Sequence, residues 1–228
     1  MTMRAHPLDR PIWHSLTGAH APLALGDDRA RRYQPAVHFF AATPDDSPAS
    51  RAALARLMPS DGTLGLLQAD AIAAPPGTQV RSCATINQMV LTALTSDGAP
   101  IEFLELTDTD APDMLALATL TAPGPFFPET HRLGAFIGIR HDGQLIAMAG
   151  ERTRPTAFTE VSAVCTHPDH RGRGYARALM HIVIARILAR GEAAFLHVYA
   201  SNTGAIALYE ALGFRFRREM IYTILERA

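Results

Sequence analysis

The 228-residue chain contains no lysine: all 21 of its basic residues are arginine. This removes one class of phosphate site at once, because a P-loop closes on Gly-Lys-Ser/Thr. With alanine abundant beside it, the arginine bias reads as a GC-rich coding preference more than a functional one. Cysteine is almost as scarce. Cys83 and Cys165 are too few for a disulfide framework and point to a reducing, bacterial cytoplasm. No Cys/His spacing matches a metal site, so no metal is expected, and the ten histidines are scattered. No apolar run approaches the roughly 18 residues of a membrane span, and no signal-peptide core opens the chain. The net charge of −1 leaves no basic field for nucleic acid or a membrane surface.

What remains is a chain of ordinary globular composition, long enough for one large domain or two small ones. Residues 9–16 suggest a short helix with Asp9 as its cap, and residues 36–42 a short strand. Ser47-Pro48 starts a helix to about Met58. Residues 63–69 and 79–94 are extended in character. Turn formers cluster at Ser96-Asp97-Gly98-Ala99-Pro100, which is the best boundary, dividing the chain into residues 1–98 and 99–228. The second part reads strand, helix, a short helical stretch, then a hairpin turned by Asp142-Gly143. Ala176, Leu179, Met180, Val183, Ile184, Ile187 and Leu188 fall on one face of a long helix, which Gly191 stops. A strand over 194–200 and a helix capped at Ser201-Asn202-Thr203 follow, then a closing extended pair from Phe214 to Leu225.

The stretch from Thr159 to Ala176 carries the chemistry. A strand that includes Val164, Cys165 and Thr166 ends at His167-Pro168-Asp169 and gives way to Arg171-Gly172-Arg173-Gly174-Tyr175-Ala176, at the mouth of the long helix. The first N–H groups of a helix lack intrahelical partners and lie at its positive end. Glycines let that backbone curl close to a ligand, and two arginines add charge, so the loop suits a phosphate or pyrophosphate. Arg177 stands where a dinucleotide fingerprint needs a small residue.

Arg171, Gly174 and Ala176 in this spacing resemble the acyl-CoA loop of the GNAT superfamily of N-acyltransferases. A second motif agrees: Asn202-x-x-Ala205-x-x-Leu208-Tyr209-x-x-x-Gly213-Phe214. The order of elements from residue 101 onward is similar to a whole GNAT fold. It implies an α/β (α+β) architecture with a mixed central sheet flanked by helices and an N-terminal α/β half-domain packed beside it. In detail the second half most resembles GNAT branches with an additional N-terminal half, the glycine N-acyltransferase-like branch among them. The resemblance further implies acetyl-CoA as co-substrate, held by Val164, Cys165, Thr166, Arg171, Gly172, Arg173, Gly174, Tyr175, Ala176, Asn202 and Ala205.

An amine with a pKa near 10.4 is mostly protonated at neutral pH and needs a proton acceptor before it can attack. Glu160, on the strand entering the loop, is the expected general base, with Glu151 as its substitute. Tyr209 is the expected general acid for the departing thiolate. A plain structural role is open for each: an exposed strand carboxylate for Glu160, a core aromatic for Tyr209, a helix cap for Asn202. The acceptor implied is a small-molecule amine or amino acid; a protein N-terminus or lysine is the nearest alternative, and a non-catalytic CoA-binding module the alternative of another class. No nucleic acid or membrane partner is expected, and a homodimer is compatible with the sequence.

Overall fold

The structure, a computed structural model, describes residues 6–95 and 101–228. The turn cluster at residues 96–100, expected as the boundary, lies outside them. After a single 3-10 turn comes α1 (Pro11–Leu16), whose proline occupies the first helical position, where a missing N–H costs nothing. Arg10, not Asp9, precedes it as the capping position, because Asp9 is taken up in the turn before and in ion pairs to Arg217 and Arg218. Three short strands, β1 (Ala24–Gly26), β2 (Arg31–Tyr33) and β3 (Ala41–Ala42), make a small sheet. The strand expected over 36–42 shrinks to its last two residues: the amides of Val37 and His38 both turn back to the Gln34 carbonyl. The helix α2 (Pro48–Arg56) starts at Ser47, whose side chain accepts from the Ser50 amide.

Among the described residues the main sheet has eight strands. In chain order they are β4 (Leu64–Gln68), β5 (Thr78–Leu91), β6 (Leu104–Leu106), β7 (Phe136–His141), β8 (Gln144–Glu151), β9 (Phe158–Thr166), β10 (Ala193–Tyr199) and β11 (Phe214–Arg227). In space they run β4-β11-β5-β10-β9-β8-β7-β6. Only β9 and β10 pair in parallel; every other neighbouring pair is antiparallel. The helices α3 (Ala111–Thr121), α4 (Tyr175–Ala189) and α5 (Thr203–Leu212) complete a mixed sheet flanked by helices. The expected closing pair after Phe214 is one 14-residue strand, bent by an irregularity between Phe216 and Arg218 rather than turned back on itself. β5 comes from before residue 98 yet lies between β10 and β11, so the sheet runs unbroken through both parts of the chain.

Alternation along the strands sorts the core onto the two faces. On β7, Ile137 packs with Leu179, Val183, Ile184 and Ile187 of α4, whereas its neighbour Phe136 joins Met114 and Leu117 of α3. Each of these buried aliphatic side chains contributes about 1.5–3 kcal/mol of hydrophobic stabilisation. A further cluster ties α1 (Ile12, Leu16) to Ile86 of β5 and Met220 of β11.

β9 and β10 pair only over Phe158–Glu160 and Ala193–Phe195; beyond that β9 runs on to Thr166 and β10 to Tyr199 without meeting. On its other side β9 bulges. Cys165 faces Met148 and Ser162 faces Gly150, leaving two residues against one, and Ala163 adopts φ +51°. Splay and bulge together open a slot through the middle of the sheet.

The junction of α5 and β11 depends on Gly213. It takes φ +104°, and a Cβ there would lie 1.8 Å from the Ala93 carbonyl oxygen. Gly213→Ala is expected to cost at least about 1–3 kcal/mol, read as a lower midpoint in urea denaturation.

Candidate active site

Three elements converge on the slot. The end of β10 and residues of α5 line one pocket there, and the bulge of β9 lines a second beside it. A pocket of about 120 Å³ lies there, lined by Arg152, His197, Val198, Tyr199, Asn202, Tyr209 and Tyr222, by Phe40, Leu67 and Ile86, and by the Pro123–Pro125 turn. A second, smaller pocket shares Arg152 and that turn and reaches Ser162 and Ala163 of the bulge. Asn202 and Tyr209 are seven residues apart, two helical turns, and so share a face of α5.

Asn202 caps α5, its Oδ1 accepting from the Ala205 amide at 3.2 Å, and also borders the pocket. Tyr209 packs its ring edgewise against Phe214, at 6.2 Å between centroids, and borders the same pocket. Burial pushes its phenol pKa up, so it is a proton carrier and not an anion at neutral pH. Tyr222, opposite, is pushed up to about 12, burial again being the main cause.

The loop before α4 has the form a diphosphate needs. Gly172 and Gly174 take φ +77° and +79°, with no atom within 4 Å of where a Cβ would sit. Gly174 is the capping residue, and no side chain caps the helix there. The first amides of α4 are therefore free to meet an anion. Arg171, Arg173, Tyr175 and Ala176 lie on this loop or the first turn behind it. Val164 packs on the α4 side of the sheet and Thr166 ends β9. The Cys165 side chain points the other way, buried with Met114 and Met148, and burial pushes its thiol up to about 11. Only its backbone can serve the slot.

Glu160 occupies a setting far from that of a free base. Its carboxylate is fully buried and accepts from three side chains: Arg152 through Nε at 3.0 Å and Nη2 at 2.6 Å, the Thr153 hydroxyl at 2.7 Å and His197 Nδ1 at 2.7 Å, with the Thr153 amide at 3.4 Å. Burial would raise its pKa, but the Arg152 charge, helped by His197, outweighs burial and holds the carboxyl well below the usual range. Glu151 is no substitute. It faces the opposite side of the sheet, with Arg190 donating to it at 2.8 Å beside the C-terminal end of α4.

The network runs deeper. Gln88 of β5 takes a hydrogen bond from Arg217 at 2.8 Å on its oxygen, so its amide nitrogen faces both the Leu8 carbonyl at 2.9 Å and His197 Nε2 at 3.0 Å. His197 Nε2 must then accept, which fixes the proton on Nδ1, aimed at Glu160. Arg217 continues to Asp9 at 2.8 Å. Sequence reasoning passed over Arg152, His197 and Gln88. The one available signal was a histidine interrupting the apolar run from Ala193 to Val198.

A sheet split beside a glycine-rich helix mouth defines an acyl-CoA-dependent acyltransferase fold. Residues 136–223 match the family model described as FR47-like protein. N-alpha-acetyltransferase RimI of Mycobacterium tuberculosis is 30% identical over 134 residues, which span 54% of this chain and 83% of that protein. Mycothiol acetyltransferase of Thermomonospora curvata is 36% identical over 91 residues, 39% of this chain but only 30% of that one. A crystal structure from Novosphingobium aromaticivorans, described as an acetyltransferase of the GNAT family, superposes with a TM-score of 0.90 at 45% identity, covering 98% of this chain and 99% of its own. A GCN5-related N-acetyltransferase from Kribbella flavida, 18% identical, shares the fold with a TM-score of 0.64 over 98% of this chain and 96% of its own. The chain belongs to the GNAT family of acetyltransferases.

Arg152→Met is expected to destabilise the protein by about 3–5 kcal/mol at pH 7, because it strands a buried carboxylate. In the wild type the depressed Glu160 pKa adds stability that is full above the ordinary glutamate value of 4.5 and is lost as pH falls below it. In Arg152→Met burial dominates and raises that pKa, so the deficit shrinks towards pH 4. Urea titrations at the two pH values measure both.

Proposed function

We propose that the protein transfers the acetyl group of acetyl-CoA to a primary amine by direct attack, with Tyr209 as general acid. The observation that carries this reading is an uncapped, glycine-turned helix mouth following β9, together with a pocket that Tyr209 shares with the end of β10. The diphosphate of CoA lies on the amides after Gly172 and Gly174, with Arg171 and Arg173 beside it. The acyl arm enters the slot along Val164–Thr166, where β9 pairs with β8 but not with β10, so its backbone groups on the β10 side are available. Main-chain N–H groups there polarise the thioester carbonyl. Asn202 and Ala205 hold the start of α5 at the slot's rim.

Glu160 serves in this reading as the fixed counter-charge that sets Arg152 and His197, not as the proton acceptor. The amine attacks in its neutral form, the C–N bond forms and the C–S bond breaks. Tyr209 passes its phenolic proton to the leaving sulfur, and the proton shed by the new amide nitrogen restores the phenol. Residues 99–228 carry the chemistry, while residues 1–98 shape the acceptor side through Phe40, Leu67 and Ile86. The added half is also what supports a place in the glycine N-acyltransferase-like branch. Cys83 and Cys165 are both free thiols, which supports a reducing cytoplasm as the place of action.

Thiol release from acetyl-CoA with a panel of primary amines tests the assignment; CoA binding without turnover on any amine would favour a sensor instead. Tyr209→Phe is expected to lower kcat on the order of 10²-fold while the acetyl-CoA Kd stays unchanged. Unaltered kcat would remove Tyr209 from the role. Because the neutral amine is the nucleophile, kcat/KM should rise with pH up to the acceptor's own pKa and level off there. A plateau that ignores the acceptor's pKa would argue for a base on the enzyme.

A further inference from the structure

Half of β5 is a strand with one side open. β10 pairs with it only from Ile86 to Val90, while Thr78–Thr85 is held by β11 alone among the described residues. Residues 79–83 and Thr85 are exposed, Val80 at 47%. Such an edge is a row of unmet N–H and C=O groups, ready to take another extended chain. It begins where β10 leaves off, with Tyr199 opposite Ile86, and both of those residues line the candidate acceptor pocket.

Strand direction decides what an added chain would deliver. β10 runs antiparallel to β5 and stops at Tyr199. A chain that takes over the edge in the same direction has its first residue next to Ile86 and Tyr199 and its later residues opposite Thr85 down to Thr78. Antiparallel addition therefore points an N-terminus into the pocket. The open length of eight residues, about 27 Å at roughly 3.4 Å per residue, holds a segment of about eight.

A separate observation concerns protons. The charged and polar side chains lining the pocket are Arg152, His197, Asn202 and three tyrosines, with no carboxylate among them, and Glu160 behind them is fully committed. A site so equipped is matched to an amine that is partly neutral unaided. A peptide α-amine, with a pKa of about 7.7–8.0, meets that need at neutral pH; an alkyl amine near 10.4 does not.

From these two features, and resting on the N-acetyltransferase reading above, we propose that the acceptor is the free N-terminus of a polypeptide, docked in extended form as a ninth strand on the open edge of β5. Main-chain hydrogen bonds supply the affinity, as in other strand-addition complexes. The edge's side chains, Gln79, Arg81, Ser82 and Cys83 among them, are mostly polar and would bury too little apolar surface for a lasting pair of identical subunits.

The test compares acetylation of alanine amide, an Ala-initiated dipeptide amide and an Ala-initiated decapeptide, all with free α-amines, by the full-length protein. The expected result is a rise of at least about tenfold in kcat/KM from dipeptide to decapeptide. N-methylating the decapeptide's backbone amides one at a time should remove that gain at every second position and leave it at those between, since alternate residues of an added strand bond to the edge. Equal rates for all three acceptors, or loss without alternation, would overturn docking on β5 while leaving the acetyltransferase assignment intact. Preference for a lysine side chain over the α-amine would overturn it too. Sedimentation showing a dimer whose partner covers Thr78–Thr85 would likewise overturn it. Thiol release with none of the amines would defeat the acetyltransferase reading and this one together.

Discussion

The carboxylate of Glu160 is the point on which the middle of the molecule depends. It is sealed from water, and it is kept charged only because Arg152, Thr153 and His197 crowd donors around it. Those donors stand on β8's trailing edge and on β10, so one buried anion joins the strands at the point where β9 and β10 stop pairing. Through His197 and Gln88 the constraint reaches β5, Arg217 and Asp9. A slot through a sheet sacrifices ladder hydrogen bonds, and the network replaces that lost cohesion directly beneath the opening.

Electrostatics divides the site into two ends of different character. At the α4 mouth, uncapped amides and neighbouring arginines create positive potential. In the pocket at the end of β10, the phenols of Tyr209 and Tyr222, with raised pKa values, and the paired Arg152 guanidinium give a polar surface without a carboxylate.

The second half of the fold was legible because its local signals agreed with one another. The helical period from Leu179 to Ile187, the Asp142-Gly143 turn and the glycines before Tyr175 each have a short-range cause and survive into the structure, while Leu188, expected on the same face, is exposed. The loop residues and Tyr209 were singled out on signals of the same local kind. Glu160 shows where that reasoning stops. Position on a strand beside the loop marked it as interesting, yet its partners lie eight residues before it and thirty-seven after, and nothing local reveals that they fill its lone pairs. The N-terminal strands were harder still. Val37 and His38 look extended by composition, but a turn onto Gln34 takes their amides, and no pattern in residues 79–94 says that this strand enters between β10 and β11.

That insertion has a consequence for how the chain reaches its native form. β11 must align with a strand more than a hundred residues earlier, Phe214 against Leu91 and Arg227 against Thr78. Pairings of such long span are slow to find, since loop-closure entropy is spent before any contact repays it. β5 likewise waits for β10, whose residues follow it by about a hundred positions, so the pairing of these two strands forms late. A ribosome releasing this chain would hand over β5 early and leave it waiting, its partner strands not yet made, until the final segment emerged.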